Sequence, residues 1–249
     1  MAVFLSVIIP AYNEEKYIRK TLYSLQLQKF QDFEVIVVAN GCCDGTETVV
    51  RKRVGEWSRG KLRLFSLSKA QVSVARNYGA GVASGDVLVF LDADTELESD
   101  VLLKIQEKFR ISEFEGSGLN GSCSNDVTVA TTLVRADKNL FRYKLAMGLK
   151  NIQHRLGLYK GCSGILVCRS SDFKAVGGYD ELAVREHRKL ILKLLKLGRG
   201  GYQCIDAYVI TSMRRFEVWG IRRAMLFWIR QWMKDKTKGL EKSEYECVR

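Results

Sequence analysis

The chain has 249 residues, 47% of them hydrophobic, and a formal net charge of +12. That length allows one large domain or two small ones, and the absence of any run of eighteen uncharged apolar residues argues against a membrane-spanning helix. Seven cysteines at irregular spacing, with no CxxC pair, indicate neither a zinc site nor a disulfide framework, so a reducing cytoplasm is expected.

The opening "MAVFLSVIIPAYNEE" lacks a basic n-region and reads as a first strand rather than a signal peptide. Within it, "VFLSVIIPAY" is a buried strand rich in β-branched residues, ended by Pro10. A helix follows over "NEEKYIRKTLYSLQLQKF", with Tyr17, Ile18, Leu22 and Leu25 at helical spacing. Asn13 is its N-cap, and Glu14 and Glu15 suit the positive end of its dipole. "FEVIVVAN" is a second strand, "NGCCDGT" a turn and "TETVVRKRVGEW" a helix. "LRLFSLS" is a third strand, "QVSVARNYGAGVAS" a small-residue helix and "DVLVFLDAD" a fourth strand. Strands alternating with helices imply βαβ units and a parallel sheet covered on both faces. Ligands of such sheets bind beyond the carboxyl ends of the strands. Pro10, Ala11 and Tyr12, then Asn40, then Asp92 and Asp94 all lie at or just past strand ends, so three motifs converge on one edge.

The pattern loosens after Phe109. "SEFEGSGLNGSCSND" is loop-like, "VTVATTLVR" a strand open to antiparallel pairing, and "DKNLFRYKLAMGLKNIQHRLG" a helix. "KGCSGILVCRSSDFKAVGGYDE" combines a Gly-rich turn, a short strand and a second turn, and "HRKLILKLLKLG" is a helix stopped by Gly198. In "EVWGIRRAMLFWIRQWMKDKTKG", Val218, Ile221, Met225, Trp228, Ile229 and Trp232 share one helical face, and Arg222, Arg223 and Arg230 another. Residues 217–234 therefore read equally as an interfacial helix on an anionic membrane or as a helix docked on the core. Beyond Lys234 the tail is charged and expected to fray. Residues 185–249 hold sixteen Lys/Arg against seven Asp/Glu, a net of +9. That patch suits a nucleotide, an anionic lipid or nucleic acid.

The acidic pair carries the chemistry. Hard cations such as Mg²⁺ or Mn²⁺ prefer oxygen ligands and are often held by one or two carboxylates plus substrate phosphates. On an extended segment Asp92 and Asp94 point the same way. A solvated turn is the plainer alternative.

These pieces resemble a family 2 glycosyltransferase of the GT-A fold. The matching segments are "SVIIPAYNEEKYIRKTLYSLQLQKFQDFEVIVVANGCCDGT", "ARNYGAGVASGDVLVFLDAD", "AVGGYDE" and "REHRKLILKLLKLG". They cover about the first 110 residues densely and 160–216 more loosely. The resemblance implies a Rossmann-like α/β fold with a mostly parallel sheet. It implies inverting transfer of a sugar from a UDP- or GDP-sugar to a glycan or lipid-linked acceptor, assisted by Mg²⁺ or Mn²⁺. Residues 1–110 would be the nucleotide-sugar-binding half, 111–216 the acceptor half, and 217–249 a basic amphipathic helix and tail. By the same resemblance Pro10, Ala11, Tyr12 and Glu14 match the donor-binding segment. Asn40 stands where the family has an Asp that reads the base. Lys69, Gln71 and Arg76 lie near base and phosphates, and Asp92 and Asp94 match the metal and sugar-nucleotide motif, with Asp94 the more direct ligand. Arg214 and Arg215 resemble an Arg-rich diphosphate-binding motif. Counting back from Gly198, Glu186 and His187 fall on the family's "ED" pair, and Lys189 replaces its second Asp. Glu186 is narrowly favoured as catalytic base over His187.

The rival readings are a nucleotidyltransferase and a basic nucleic-acid-binding protein. The first would carry a Gly-rich, Arg- and Lys-bearing loop where this chain has "PAYNEE". The second leaves Asp92 and Asp94 unexplained, so no nucleic acid is expected as a partner. A dinucleotide oxidoreductase would need a GxGxxG after a strand. The expected location is cytoplasmic, with a peripheral seat on the inner membrane face if 217–234 binds lipid.

Overall fold

The structure, a computed structural model, describes residues 4–57, 61–115, 127–158, 160–162, 164–182 and 185–237; the side chains of 111–115, 221, 225, 228, 229 and 231–237 lie outside the description. The elements are β1 (Leu5–Ala11), α1 (Ile18–Gln26), β2 (Phe33–Asn40), α2 (Thr46–Val54), β3 (Leu62–Leu67), α3 (Val72–Gly81), β4 (Val87–Leu91), β5 (Thr95–Leu97) and α4 (Val101–Glu115). They continue with β6 (Val127–Ala136), α5 (Phe141–Arg155), β7 (Ile165–Arg169), α6 (Ser170–Ala175), α7 (Glu186–Leu195), β8 (Gly201–Thr211) and α8 (Arg214–Thr237). The strands form one mixed sheet in the order β3-β2-β1-β4-β7-β6-β8-β5. The first four are mutually parallel, β7 is antiparallel to both β4 and β6, β8 is parallel to β6, and β5 is antiparallel to β8.

β1, β2 and β4 are buried along their whole length, as expected of parallel strands covered on both faces. Alternating side chains feed two cores. Leu5, Val7 and Ile9 pack with Ile18, Leu22, Val101, Phe109 and Tyr143 beneath α1, α4 and α5. Ile8, Leu88, Phe90 and Leu166 pack on the other face with Phe173, Tyr179, Leu190 and Leu194, under α6 and α7. α3 lies on that second face, very close to β1. A Cβ added at Gly79 would come within 2.5 Å of Ile8 Cγ2, so only glycine lets the helix settle there.

The sheet curls. β4 lies in its middle and β5 at its far edge, yet only residues 92–94 join them. Three residues span about 10 Å at most, so the β5 edge must swing back toward the end of β4. The acidic pair therefore sits on a short turn that closes the sheet upon itself.

Several local expectations are corrected. Pro10 lies inside β1 rather than ending it, because β1 pairs with β4 only as far as Ile8↔Phe90 while pairing with β2 runs on to Ala11. A missing N–H is tolerated where one ladder has stopped. The first helix begins at Ile18, not at the acidic pair. Asn13 has φ 54° and its Oδ1 accepts from the Cys43 amide, while Glu15 accepts from the Gly45 amide at the start of α2. These side chains therefore cap the neighbouring loop rather than their own helix. β5, α4, α6 and β8 are additions to the elements expected, and α4 runs to Glu115, into the start of the segment read as a loop; β8 is only half-buried and mixed in composition. α8 is broken at Gly220 (φ 72°, ψ 154°). Of its expected apolar face, Ile221, Met225, Trp228, Ile229 and Trp232 have side chains outside the described residues, as does the tail 238–249. Among the described residues no helix is long and apolar enough to cross a membrane.

Candidate active site

The carboxyl ends of β1 and β2 lie side by side, with Ala11 opposite Ala39. Asn40 is 2% exposed, and its Nδ2 donates to the Ala11 carbonyl at 2.9 Å, pinning the two strand ends together. The chain then turns through Gly41 (φ 71°), where an added Cβ would strike the Ala70 backbone nitrogen at 2.8 Å. The segment carrying Lys69 and Gln71 thus crosses directly over the end of β2. Lys69 is exposed, Tyr12 is half-buried, and Gln71 donates to Glu181 at 3.0 Å. Together these residues form one wall of the region past the ends of β1 and β2.

The second wall is acidic. The Thr95 amide donates to the Asp92 carbonyl at 3.1 Å, and the Asp92 amide donates to the Gly164 carbonyl at 2.9 Å. The segment is therefore a tight turn rather than an extended one, and the two carboxylates do not run in parallel. Each meets its own arginine. Arg76 of α3 donates to Asp92 Oδ1 at 2.8 Å and to Glu186 Oε1 at 2.7 Å. Arg214, at the start of α8, donates to both oxygens of Glu14 at 2.7 Å and reaches Asp94 Oδ2 at 3.0 Å. The carboxylate–guanidinium forks are the strong, charge-assisted kind.

Burial alone would lower the pKa of Arg76, but Glu186, Tyr179 and Asp92 outweigh it and hold the guanidinium charged. Burial likewise works against Arg214, and the bond to Glu14 with the charge of Asp94 overcomes it. The Arg76 guanidinium also lies 5.4 Å from the Tyr179 ring centroid, a cation–π contact. Glu14 is buried with both oxygens taken by Arg214, so it acts behind the cleft wall. Arg215 packs its guanidinium 5.5 Å from the Trp219 ring.

Glu186 opens α7, where the helix dipole favours an anion. His187, the next residue, is linked through Nδ1 to the Tyr179 hydroxyl at 2.9 Å, and its buried Nε2 has no hydrogen-bond partner. Burial, reinforced by Arg76, pushes the His187 pKa well below the usual histidine value, so the ring is neutral. Lys189 pairs with Asp180 at 3.0 Å, away from this centre.

Two further residues join the site without any motif to announce them. Lys150 projects from α5 with its pKa lowered by burial and partly restored by Cys162 and Asp92. The Cys162 thiol is pushed up to about 12 by burial and by Asp92, against the pull of Arg76 and Lys150. Both lie near enough to Asp92 to feel its charge. Asp92 keeps 39% of its side chain exposed and Asp94 17%. Among the described residues no cluster of three or more His, Cys, Asp or Glu could hold a metal by itself. Two carboxylates at an open cleft nevertheless fit a hard cation that takes its remaining oxygens from a bound diphosphate.

Comparisons with known proteins bear on the family and the fold. Residues 6–170 match the model of glycosyl transferase family 2. The GalNAc(5)-diNAcBac-PP-undecaprenol beta-1,3-glucosyltransferase of Campylobacter jejuni is 36% identical over 104 residues, which is 42% of this chain and 34% of that protein. The amylovoran biosynthesis glycosyltransferase AmsB of Erwinia amylovora is 36% identical over 115 residues, 45% of this chain and 37% of that protein. The match thus spans about a third of the length of these curated relatives. Among solved structures, the mannosyltransferase PcManGT from Pyrobaculum calidifontis, in complex with GDP-Man and Mn²⁺, superposes with a TM-score of 0.65 at 18% identity, over 93% of this chain and 64% of that one. S. aureus TarS 1-349 in complex with UDP-GlcNAc gives a TM-score of 0.65 at 21% identity, over 84% of this chain and 58% of that one. At such identities the likeness is one of fold.

Proposed function

The chain belongs to glycosyl transferase family 2, and on that premise we propose that it transfers a hexose from a UDP- or GDP-sugar to an acceptor hydroxyl, with inversion. The observation that carries the reading is the Arg76 bridge. One buried guanidinium holds Asp92 on the donor side and Glu186 on the acceptor side at a fixed spacing. Such an arrangement suits a displacement in which a base and a departing diphosphate must act on opposite sides of one carbon.

In this reading the nucleotide lies on Pro10, Ala11, Tyr12 and Asn40, with Lys69 and Gln71 above it. Asp92 and Asp94 would hold Mg²⁺ or Mn²⁺ together with the diphosphate; when bound, that ion neutralises charge on the leaving group. Arg214 orients Asp94 and adds positive charge beside it, and Arg215 extends that charge along α8. Glu186 takes the proton of the acceptor hydroxyl while the hydroxyl oxygen attacks the anomeric carbon and the sugar–phosphate bond breaks. His187 has its open nitrogen sealed in the interior, so it steadies Tyr179 and Glu186 instead of meeting the acceptor. Residues 1–110 then serve the donor and 111–216 the acceptor. Relatives named for a polyprenol-diphosphate glycan and for amylovoran support a glycan or lipid-linked acceptor.

The test is a panel of UDP- and GDP-sugars with and without Mn²⁺, read by thermal shift and by slow donor hydrolysis. One nucleotide class should stabilise the protein in a metal-dependent way, and Asp94→Ala should lose that response. Silence toward every nucleotide sugar would sink the proposal.

A further inference from the structure

α5 has two apolar faces, and among the described residues only one is covered. Tyr143, Met147 and His154 turn inward and are buried. Phe141, Leu145, Leu149 and Ile152, with Leu156 just past the helix end, are each more than half exposed. At 3.6 residues per turn these five fall within an arc of about 80°, centred roughly opposite the buried face. Scattered apolar residues need no explanation, but a continuous stripe of five along one helix marks an interaction surface.

The charges around the stripe say what meets it. Arg142 borders it on one side, and Lys144 and Arg155 border it on the other. No Asp or Glu occurs between residues 138 and 171. The acidic groups nearby belong to other elements: Asp206 pairs with Arg155 and Glu217 with Lys138. The first turns of α5 and α8 meet through Tyr143 and Phe216, with ring centroids 6.2 Å apart. Beside them opens a cleft of about 660 Å³ whose lining includes Arg142, Trp219, Arg222 and Arg223, three guanidinium groups against the single carboxylate of Glu217. Apolar side chains flanked by cations, with an Arg- and Trp-lined cleft alongside, match the layered chemistry of an anionic bilayer surface. A second copy of the chain placed on this stripe would bring its own Arg142, Lys144 and Arg155 against the same three residues, like charge on like.

We propose that α5 is an interfacial helix: its outer stripe enters an anionic lipid surface, with a headgroup phosphate in the arginine-lined cleft. This docking stands independently of the donor chemistry.

The experiment is flotation of the purified chain with vesicles of phosphatidylcholine alone and of phosphatidylcholine mixed with phosphatidylglycerol, in the absence of nucleotide. The wild type should float with the mixed vesicles and not with the neutral ones. Arg142→Gln with Lys144→Gln should weaken binding by about fivefold per removed cation. Leu145→Glu with Leu149→Glu should abolish it while leaving the thermal melt unchanged; Leu145→Ser with Leu149→Ser is the milder substitute should the first pair perturb folding. The proposal is overturned if the wild type stays off the mixed vesicles, or if it floats equally well on neutral ones. It is also overturned if the folded leucine variants float as before. Light scattering that shows a dimer dispersed by the leucine substitutions, with no vesicle binding, would give the face to a second copy instead.

Discussion

Arg76 offers the sharpest test of how the cleft is held. Its guanidinium is 4% exposed and makes charge-assisted bonds of 2.7 and 2.8 Å to two carboxylates. Arg76→Met keeps most of the aliphatic stem and removes only the charge and donors. Breaking a fully buried pair by deleting one partner costs about 3–5 kcal/mol. Glu186 is nearly enclosed here, whereas Asp92 keeps 39% of its side chain exposed and is partly rescued by water. The expected loss is therefore about 3 kcal/mol, most of it from the Glu186 side. For a chain of this size that is a fall in Tm of about 6–10 °C. The assay is urea unfolding of four proteins: wild type, Arg76→Met, Glu186→Gln and the double variant. Because Glu186→Gln removes the orphaned charge, the double variant should be more stable than Arg76→Met alone by about 1 kcal/mol or more. A loss under about 1 kcal/mol in Arg76→Met, or strict additivity in the cycle, would refute the idea that this guanidinium organises the two carboxylates.

Glu186→Gln should lower kcat by about 10²–10⁴-fold with donor affinity nearly unchanged, since a general base contributes about that much; steady-state kinetics with the sugar nucleotide that the panel selects decides it. Acidification should destabilise the fold between about pH 6.5 and 4. Both histidines of the chain are buried with lowered pKa values, His154 to about 4. The unfolded state binds the extra protons in that window, so stability falls as pH falls and levels off below the folded values. His154 alone accounts for about 3 kcal/mol at full extent, and urea melts at pH 7 and 5 should show a reduced slope in His154→Gln. Gly79→Ala should destabilise by about 1–3 kcal/mol through the clash with Ile8, read as a lower urea midpoint.

The first half of the chain was readable because its signals are local. Unbroken β-branched runs, each followed by a polar motif, identify β1, β2 and β4 and place Asn40 and Asp92 at one edge. The second half was less readable because its strands answer to distant partners. β8 carries polar residues on a half-buried ladder and pairs with β5, a three-residue strand that no periodicity could reveal. Asp92 and Asp94 were located correctly in sequence, but their splayed directions depend on a turn fixed by the Gly164 carbonyl. Lys150 has no motif at all. The side of α5 it occupies follows from helical phase, and that phase is ambiguous when a helix has apolar residues on both faces.

The Arg214 fork also bears on when the site comes into being. It joins residue 214 to Glu14 across 200 positions of chain. During synthesis the first four strands can pair as soon as they emerge. Glu14 is 3% exposed in the finished protein, with both carboxylate oxygens held by Arg214. Until Arg214 arrives, that fork cannot form. Asp94, which takes the same guanidinium, is then only partly oriented. A nascent chain therefore carries its first four strands well before it carries this joint, and the start of α8 acts as the latch on the loop after β1.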